Sequence, residues 1–109
     1  MSKITTHVLD AVLGKPGAGI DTRLEILDGH IWRTLATGTT DDDGRCSNLS
    51  ADAAEGVYRL NFDTDAYLSR NGRVSIYSEI VISFKCDGES HYHLPLLLSD
   101  NSYTTYRGS

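Results

Sequence analysis

The chain has 109 residues, the length expected of a single domain spanning residues 1–109, and 39% of them are hydrophobic, which is ordinary for a globular protein. A net charge of −5, with lysine and arginine scattered along the chain, argues against nucleic acid or an anionic membrane surface as a partner. No apolar run approaches the ~20 residues of a membrane helix, and the N-terminus has no secretory-type apolar core. Two cysteines, Cys46 and Cys86, are too few for a disulfide scaffold, so we expect reduced thiols and a cytoplasmic protein.

Short alternating segments separated by turn residues make up most of the chain. In chain order, strands are predicted over 4–10, 23–27, 31–37, 45–47, 57–62, 79–85, 91–98 and 103–107. The breaks between them are a glycine- and proline-rich loop over 14–19, an acidic turn over 41–44, and Asp-Gly dipeptides at 28–29 and 87–88. About eight short strands of this kind predict an all-β protein built as a two-sheet sandwich.

One short helix is predicted over residues 64–69. Thr64 is expected to cap its N-terminus, and the Asn71-Gly72 dipeptide is expected to end it. A helix of this length forms only where other elements pack against it.

Histidines stand on the outward faces of two predicted strands. Alternation in 4–10 turns Ile4, Thr6 and Val8 toward the core and leaves His7 outward beside Leu9. In 91–98 the core face is Tyr92, Leu94, Leu96 and Leu98, and the outward face is His91, His93, Pro95 and Leu97. Because a solvated face is rarely rich in leucine, we expect another subunit to cover it.

The residues alone leave the task of these histidines open. His7 can be an interface histidine without a chemical task. His91 and His93 share a strand face at a spacing common among metal ligands, and His7 is the obvious third ligand, so a zinc-dependent hydrolase is one alternative. The low density of Cys and His argues against that alternative. The sequence also lacks the GxSxG motif that would suggest a serine triad. We therefore predict no metal site.

Two arginines stand out by their positions. Arg45 follows the acidic turn, and Arg107 lies two residues before the end of the chain. Either can form an ordinary salt bridge. The planar guanidinium also suits a carbonyl-rich, anionic heterocycle, because its N–H groups form a rigid fork.

Several segments together resemble one known family. The segments THVLD, GKP, DGRC, HYHLPLLLS and the terminal YRGS occur in the order found in the 5-hydroxyisourate hydrolases of the transthyretin-like protein family. The resemblance extends from residue 5 to residue 109. The terminal YRGS is its most specific element, since it separates these hydrolases from transthyretin, the hormone carrier of the same fold.

The resemblance implies a fold, an assembly and a reaction. The fold would be a transthyretin-like sandwich, and the assembly a homotetramer, a dimer of dimers with active sites in the channel between dimers. The reaction would be hydrolysis of 5-hydroxyisourate to 2-oxo-4-hydroxy-4-carboxy-5-ureidoimidazoline in urate degradation, without metal or organic cofactor. By motif, the catalytic residues would be His7, Arg45 and His93, with substrate contacts from Tyr106, Arg107, Gly108 and Ser109.

These residue types suit ring opening by water. Histidine can accept a proton from water near neutral pH, and arginine can hold carbonyl oxygens as negative charge develops. The terminal strand is expected to be pinned by Tyr103 and Tyr106, so that Arg107 and Ser109 complete the pocket wall. The alternatives are a transthyretin-like carrier without catalysis, the zinc-dependent hydrolase, and a purely structural sandwich.

Overall fold

The computed structural model describes residues 2–108, apart from the side chains at 48 and 51. In chain order the elements are β1 (Ser2–Asp10), β2 (Lys15–Pro16), β3 (Asp21–Asp28), β4 (Ile31–Thr39), β5 (Arg45–Ala53), β6 (Gly56–Phe62), α1 (Thr64–Arg70), β7 (Ile80–Cys86), β8 (His91–Leu98) and β9 (Tyr103–Thr105). No helix in this part of the chain has the length and apolar character needed to cross a membrane.

The strands form two sheets, which confirms the predicted all-β sandwich. The first sheet has the order β2-β1-β8-β9, with β5 also paired to β1, and the second has the order β4-β3-β6-β7. The pair β1–β8 is parallel, whereas every other strand pair is antiparallel. The inward faces bury the core between the sheets; its largest fully buried side chains include Ile4, Leu24, Tyr58, Leu60, Phe62, Leu68 and Leu96.

The predicted alternation of faces is confirmed in the two histidine-bearing strands. In β1 the side chains of Ile4, Thr6 and Val8 are buried, whereas His7 and Leu9 are half-buried on the other face. In β8 the inward side chains are Tyr92, Leu94, Leu96 and Leu98, and all four are buried. The first sheet therefore presents a mixed histidine and leucine face away from the core.

Several predicted boundaries were wrong, each for a local reason. Residues 14–19 are not entirely loop, because Lys15–Pro16 pairs with the end of β1. The strand predicted over 45–47 continues to Ala53, because the pairing with β1 shifts register between Cys46 and Ser50 and the buried positions move from Cys46 to Leu49 and Ala53. The last strand ends at Thr105 rather than at residue 107, and Gly108 then forms an isolated bridge with His93.

The N-cap of the helix is Asp63, not Thr64. The Asp63 carboxylate accepts a hydrogen bond from the main-chain N–H of Ala66 at 3.3 Å, and Thr64 is the first helical residue and is buried. The predicted end of the helix is confirmed: Asn71 is the C-cap, and Gly72 follows with a φ of +68°, in the left-handed region that glycine tolerates best.

A buried ion pair ties the end of β1 to the rest of the molecule. The Asp10 carboxylate is fully buried and lies 2.5 Å from Arg73 Nη1 and 2.7 Å from the Tyr67 hydroxyl, while Arg73 also contacts Asp100 at 2.6 Å. Burial opposes ionisation of Asp10, but hydrogen bonds from Arg73, Tyr67 and the Leu13 N–H outweigh it and lower the pKa of the carboxyl. Asp10 therefore joins β1, α1 and the segments before β7 and β9.

Both cysteines are buried thiols. Cys46 lies on the inward face of β5, and Cys86 ends β7. Burial, with a smaller contribution from the charge of Asp87, raises the pKa of Cys86 to about 11. A thiol with so high a pKa is a poor nucleophile at neutral pH, which fits a packing role for Cys86.

Candidate active site

Three strands of the first sheet bring distant polar residues to one face. His7 in β1 pairs with Arg45 in antiparallel β5, and Thr5 in β1 pairs with His93 in parallel β8. A pocket of about 250 Å³ lies on this face. It is lined by Thr5, Thr6, Arg45, Ser47, His91 and His93.

His93 stands at the centre of this group. Its Nδ1 lies 2.7 Å from Thr5 Oγ1, and the ring is half-buried. Burial is the largest cause lowering the pKa of His93, and the positive charges of His91, Arg45 and His7 lower it further, whereas a hydrogen bond with the main chain of Thr5 raises it. A lowered pKa keeps the imidazole neutral at neutral pH, the form that can accept a proton.

His91 shares the same hydroxyl. Its Nε2 lies 2.8 Å from Thr5 Oγ1, and the centroids of the His91 and His93 rings are 6.1 Å apart. Sequence reasoning named His91 only as a possible metal ligand and did not single out Thr5. The alternation that turns His7 outward does the same for Thr5, but the pairing of β1 with β8 was needed to connect Thr5 to the histidines.

His7 and Arg45 are held by the turn that precedes β5. His7 Nε2 lies 2.9 Å from the carbonyl oxygen of Asp43, a distance at which the ring N–H donates to the carbonyl. The Asp41 carboxylate accepts hydrogen bonds from the main-chain N–H groups of Asp43 and Arg45. Gly44 has a φ of +78°, and a side chain there would collide with the carbonyl oxygen of Val8. The acidic turn is thus a structural support for its neighbours.

The guanidinium of Arg45 is exposed at the pocket. Arg45 takes part in none of the ion pairs formed within residues 2–108. The structure thus does not support the salt-bridge interpretation of Arg45. A guanidinium without a carboxylate partner can donate to a ligand in the pocket that Arg45 lines.

The C-terminal segment reaches the same strand from the other side. The N–H of Gly108 donates to the carbonyl oxygen of His93 at 2.8 Å. The Arg107 guanidinium packs 4.9 Å from the centre of the Tyr92 ring, and Tyr106 is 55% exposed. In the single chain, neither Tyr106 nor Arg107 lines the pocket beside His93. Ser109, also predicted to bind substrate, lies outside the described residues.

Main-chain pairing, rather than tyrosine packing, holds this terminal segment. Tyr103 pairs with Leu98 in the sheet, but its side chain is 40% exposed and contacts Tyr77 edge to face. Strand β9 pairs with β8 through Leu96 and Thr105, and the Thr105 hydroxyl donates to the Pro95 carbonyl at 2.7 Å.

Gly108 leaves no room for a side chain. A Cβ built at this position would lie 2.6 Å from Cδ2 of His93. We expect Gly108→Ala to displace the imidazole or the terminal segment and lower kcat on the proposed substrate on the order of 10²-fold, the effect of roughly 1 Å of misplacement. The unfolding midpoint should hardly change. Gly56→Ala is the matched control, because a Cβ there meets only ordinary contacts, the nearest at 3.6 Å. Equal activity in the two variants would show that the close approach at Gly108 is unimportant.

The histidines do not form a metal centre among the described residues. Across residues 2–108, no three His, Cys, Asp or Glu side chains are grouped so that they could hold a metal ion. Nδ1 of His93 and Nε2 of His91 both point to Thr5, and Nε2 of His7 points to a carbonyl oxygen. This geometry does not support the zinc-dependent alternative.

A larger cavity of about 690 Å³ lies on the outer face of the second sheet. Its lining includes three acidic residues, Asp21, Asp63 and Glu79, and one basic residue, Arg23, and no histidine lines it. Arg23 is itself 3.7 Å from the buried Glu25. An acidic cavity without a histidine is less suited to amide hydrolysis than the smaller histidine-lined pocket.

Comparisons with known proteins show the family of the chain. The sequence model of the HIUase/Transthyretin family matches residues 4–108. The 5-hydroxyisourate hydrolase of Mus musculus is 42% identical over 99% of this chain and 96% of its own length, and that of Pseudomonas aeruginosa is 38% identical over 100% and 93%. Among solved structures, Klebsiella pneumoniae 5-hydroxyisourate hydrolase aligns over 100% of both chains with a TM-score of 0.90 at 38% identity. Sea bream transthyretin in complex with thyroxine aligns over 97% of this chain and 94% of its own, with a TM-score of 0.93 at 34% identity. The chain belongs to the HIUase/Transthyretin family.

Proposed function

We propose that this protein hydrolyses 5-hydroxyisourate in urate degradation and acts as a single domain in the cytoplasm. The relatives named 5-hydroxyisourate hydrolase, at about 40% identity over the full chain, support the reaction. The observation that carries the proposal is the convergence of His7, Arg45 and His93 on one outward face of the first sheet. Transthyretin-like carriers share the fold, so the polar residues of the site, rather than the fold, favour an enzyme.

Arg45 binds and polarises the substrate. 5-Hydroxyisourate is a planar heterocycle with several carbonyl groups, and the exposed guanidinium can donate to two of its oxygens at once. When water attacks a ring carbonyl, the same donors stabilise the developing oxyanion. A preorganised donor of this kind typically contributes about 2.7–4 kcal/mol to the barrier.

His93 and His7 move the protons of the reaction. The lowered pKa of His93 keeps its imidazole neutral, so that it can accept a proton from the attacking water. His7, which donates through Nε2 to the Asp43 carbonyl, keeps Nδ1 as its proton acceptor when neutral and can orient the water or the leaving nitrogen.

Direct attack by water is favoured over a covalent intermediate. Cys46 is turned to the core and only 2% exposed, so its sulfur does not reach the pocket. The hydrogen-bonded histidine nitrogens contact Thr5 and the Asp43 carbonyl rather than Ser47. Among residues 2–108, no serine is therefore activated by a histidine in the way that nucleophilic catalysis requires.

A homotetramer, assembled as a dimer of dimers, would cover the exposed apolar surface and complete the site. Strands β7 and β9 each end a sheet with an unpaired edge. Near these edges, exposed apolar side chains are Val74, Ile76, Tyr77, Tyr103 and Tyr106. A neighbouring subunit packed there would bring Tyr106, Arg107 and Ser109 toward a substrate in the channel. Sedimentation should give about four times the chain mass of 12.0 kDa. A monomer at micromolar concentration would contradict this assembly.

A transthyretin-like carrier is the second candidate, supported by the close structural match to transthyretin bound to thyroxine. A carrier has no need of the Arg45 and His93 pair, whereas a hydrolase does. The deciding experiment generates 5-hydroxyisourate with urate oxidase and follows the decay of its absorbance with and without this protein. The hydrolase should remove many equivalents of substrate per subunit. Decay at the spontaneous rate, or removal of no more than one equivalent per subunit, would reject the hydrolase.

A further inference from the structure

The Thr5 hydroxyl lies between two imidazoles. Thr5 Oγ1 is 2.7 Å from Nδ1 of His93 and 2.8 Å from Nε2 of His91, and Thr5 is only 8% exposed. Both distances are those of good hydrogen bonds. The hydroxyl therefore links Nδ1 of His93 to Nε2 of His91, and Nε2 of His93 has no contact with it.

A single hydroxyl proton restricts what the two rings can do. When both rings are neutral, Thr5 can donate to only one of them, so it must accept from the other. If His93 donates through Nδ1–H, Thr5 donates to Nε2 of His91, which then carries its own proton on Nδ1. If Thr5 instead donates to Nδ1 of His93, both rings carry their protons on Nε2. The two neutral rings therefore have the same tautomer.

We propose that Thr5 is a positioning residue that holds His93 and His91 in matched tautomers and passes a proton between them during the reaction. Its kinetic role rests on the proposed hydrolase function. In the state with both protons on Nδ1, Nε2 of His93 keeps its lone pair and can act as the base. No hydrogen bond to that nitrogen is formed within the described part of the chain, so it remains available to water.

The proton balance closes without another reactant. Nε2 of His93 accepts a proton from the attacking water, the Nδ1 proton of His93 moves to Thr5 Oγ1, and the Thr5 proton moves to Nε2 of His91. Thr5 is again a neutral hydroxyl, His93 is neutral with its proton on Nε2, and His91 is an imidazolium. The reverse shift recharges His93, which then gives its Nε2 proton to the leaving nitrogen. His93 can thus serve as base and then as acid.

The surroundings of the two rings favour transfer in this direction. His93 is half-buried and faces His7 from β1 and Arg45 from β5, while Arg107 packs on the neighbouring Tyr92. The positive charges of His7 and Arg45 disfavour a proton that stays on His93. His91 is exposed, beside Lys3 in the pairing of β1 with β8, so solvent hydrates its charge. Proton transfer through Thr5 therefore moves positive charge from the half-buried ring of His93 to the exposed ring of His91.

Nitrogen NMR of the imidazoles tests the coupling without any substrate. The chain has four histidines, so selective labelling gives a simple spectrum. Above the titration range we expect His93 and His91 both to carry the proton on Nδ1. In Thr5→Val, which keeps the shape but removes the hydroxyl, His91 should change to the Nε2–H form. Different tautomers on the two rings of the native protein, or tautomers that are unaffected by Thr5→Val, would overturn the proposal.

Kinetic measurements on Thr5 variants distinguish a positioning role of the hydroxyl from an effect on protein stability. We expect Thr5→Val to lower kcat about tenfold or more, a part of the 10²–10⁴-fold that acid–base catalysis supplies, and to move the acid limb of kcat/KM to lower pH. Thr5→Ser keeps the hydroxyl and should restore kcat to within about threefold. Thr22→Val is the matched control, because it removes a buried hydroxyl of the second sheet that donates to Ile20.

The outcomes distinguish this proposal from the hydrolase assignment. A Thr5→Val enzyme with native kcat and native pH profile, or equal losses in Thr5→Val and Thr5→Ser, would overturn the positioning role. An inactive native protein with coupled tautomers would reject the hydrolase assignment and leave the coupling of the imidazoles standing.

Discussion

Replacing His93 with glutamine is expected to lower kcat/KM for 5-hydroxyisourate by about 10²–10⁴-fold, because glutamine keeps a polar side chain but cannot accept the proton of the attacking water. The lowered pKa of His93 also predicts where activity is lost with pH. A base must be neutral, so the native enzyme should lose kcat/KM as the pH falls through a value below about 6.5, the ordinary value for histidine. Stopped-flow decay of freshly generated substrate across this pH range measures both effects.

His30→Gln is the matched control for this variant. His30 lies in the exposed turn between β3 and β4 and faces no pocket residue, so the same substitution there should leave the rate within about twofold of native. Both variants should unfold at the native temperature. A His93→Gln enzyme that keeps the native rate would remove His93 from the mechanism.

Asp10→Asn is expected to lower the free energy of unfolding by about 3–5 kcal/mol, the range for breaking a buried ion pair. Asparagine keeps the size of the side chain but leaves Arg73, whose side chain is only 12% exposed, with Asp100 as its remaining carboxylate partner. The Tyr67 hydroxyl also loses its charged acceptor. Urea unfolding followed by circular dichroism measures the loss.

The control for Asp10→Asn is Asp28→Asn. Asp28 lies 3.8 Å from Arg33, but the Asp28 side chain is 66% exposed and the Arg33 side chain 63% exposed. Such a surface pair contributes little, so we expect a change within about 0.5 kcal/mol. Equal effects at the two sites would contradict the structural role of Asp10.

The stabilising contribution of Asp10 should also depend on pH. The folded-state pKa of Asp10 is lowered relative to the unfolded chain. Its contribution is therefore present above the unfolded value of about 3.9 and is lost as the pH falls through the folded value. The difference in unfolding free energy between native protein and Asp10→Asn should shrink in that acidic range.

Alternation was the most informative pattern in the sequence, because each strand of a sandwich has one face toward the core. It predicted β8 with its observed boundaries and put His7 and His93 on outward faces. It failed for β5, because the apolar positions change phase between Cys46 and Leu49, where the pairing with β1 also shifts register. Strand existence could thus be read from side-chain pattern, whereas strand length required the partner strand.

The contacts that build the site depend on register, which a single sequence does not reveal. Thr5 meets His93 only because β1 and β8 pair in parallel, and His7 meets Arg45 where the antiparallel pairing of β1 with β5 begins. The Asp10 ion pair joins residues 63 positions apart, and no local pattern indicates it. The motif resemblance named His7, Arg45 and His93 as catalytic, but only the three-dimensional arrangement connects Thr5 and His91 with them.

The location of the substrate is the central claim, and a crystal structure with a stable planar analogue tests it most directly. The analogue should keep the ring carbonyls but lack the hydrolysable bond. We predict that it lies on the outward face of the β1–β5–β8 sheet, with carbonyl oxygens within hydrogen-bond distance of Arg45 and a ring atom beside Nε2 of His93. An analogue bound in the acidic cavity of the second sheet, with the histidine face empty, would contradict the account.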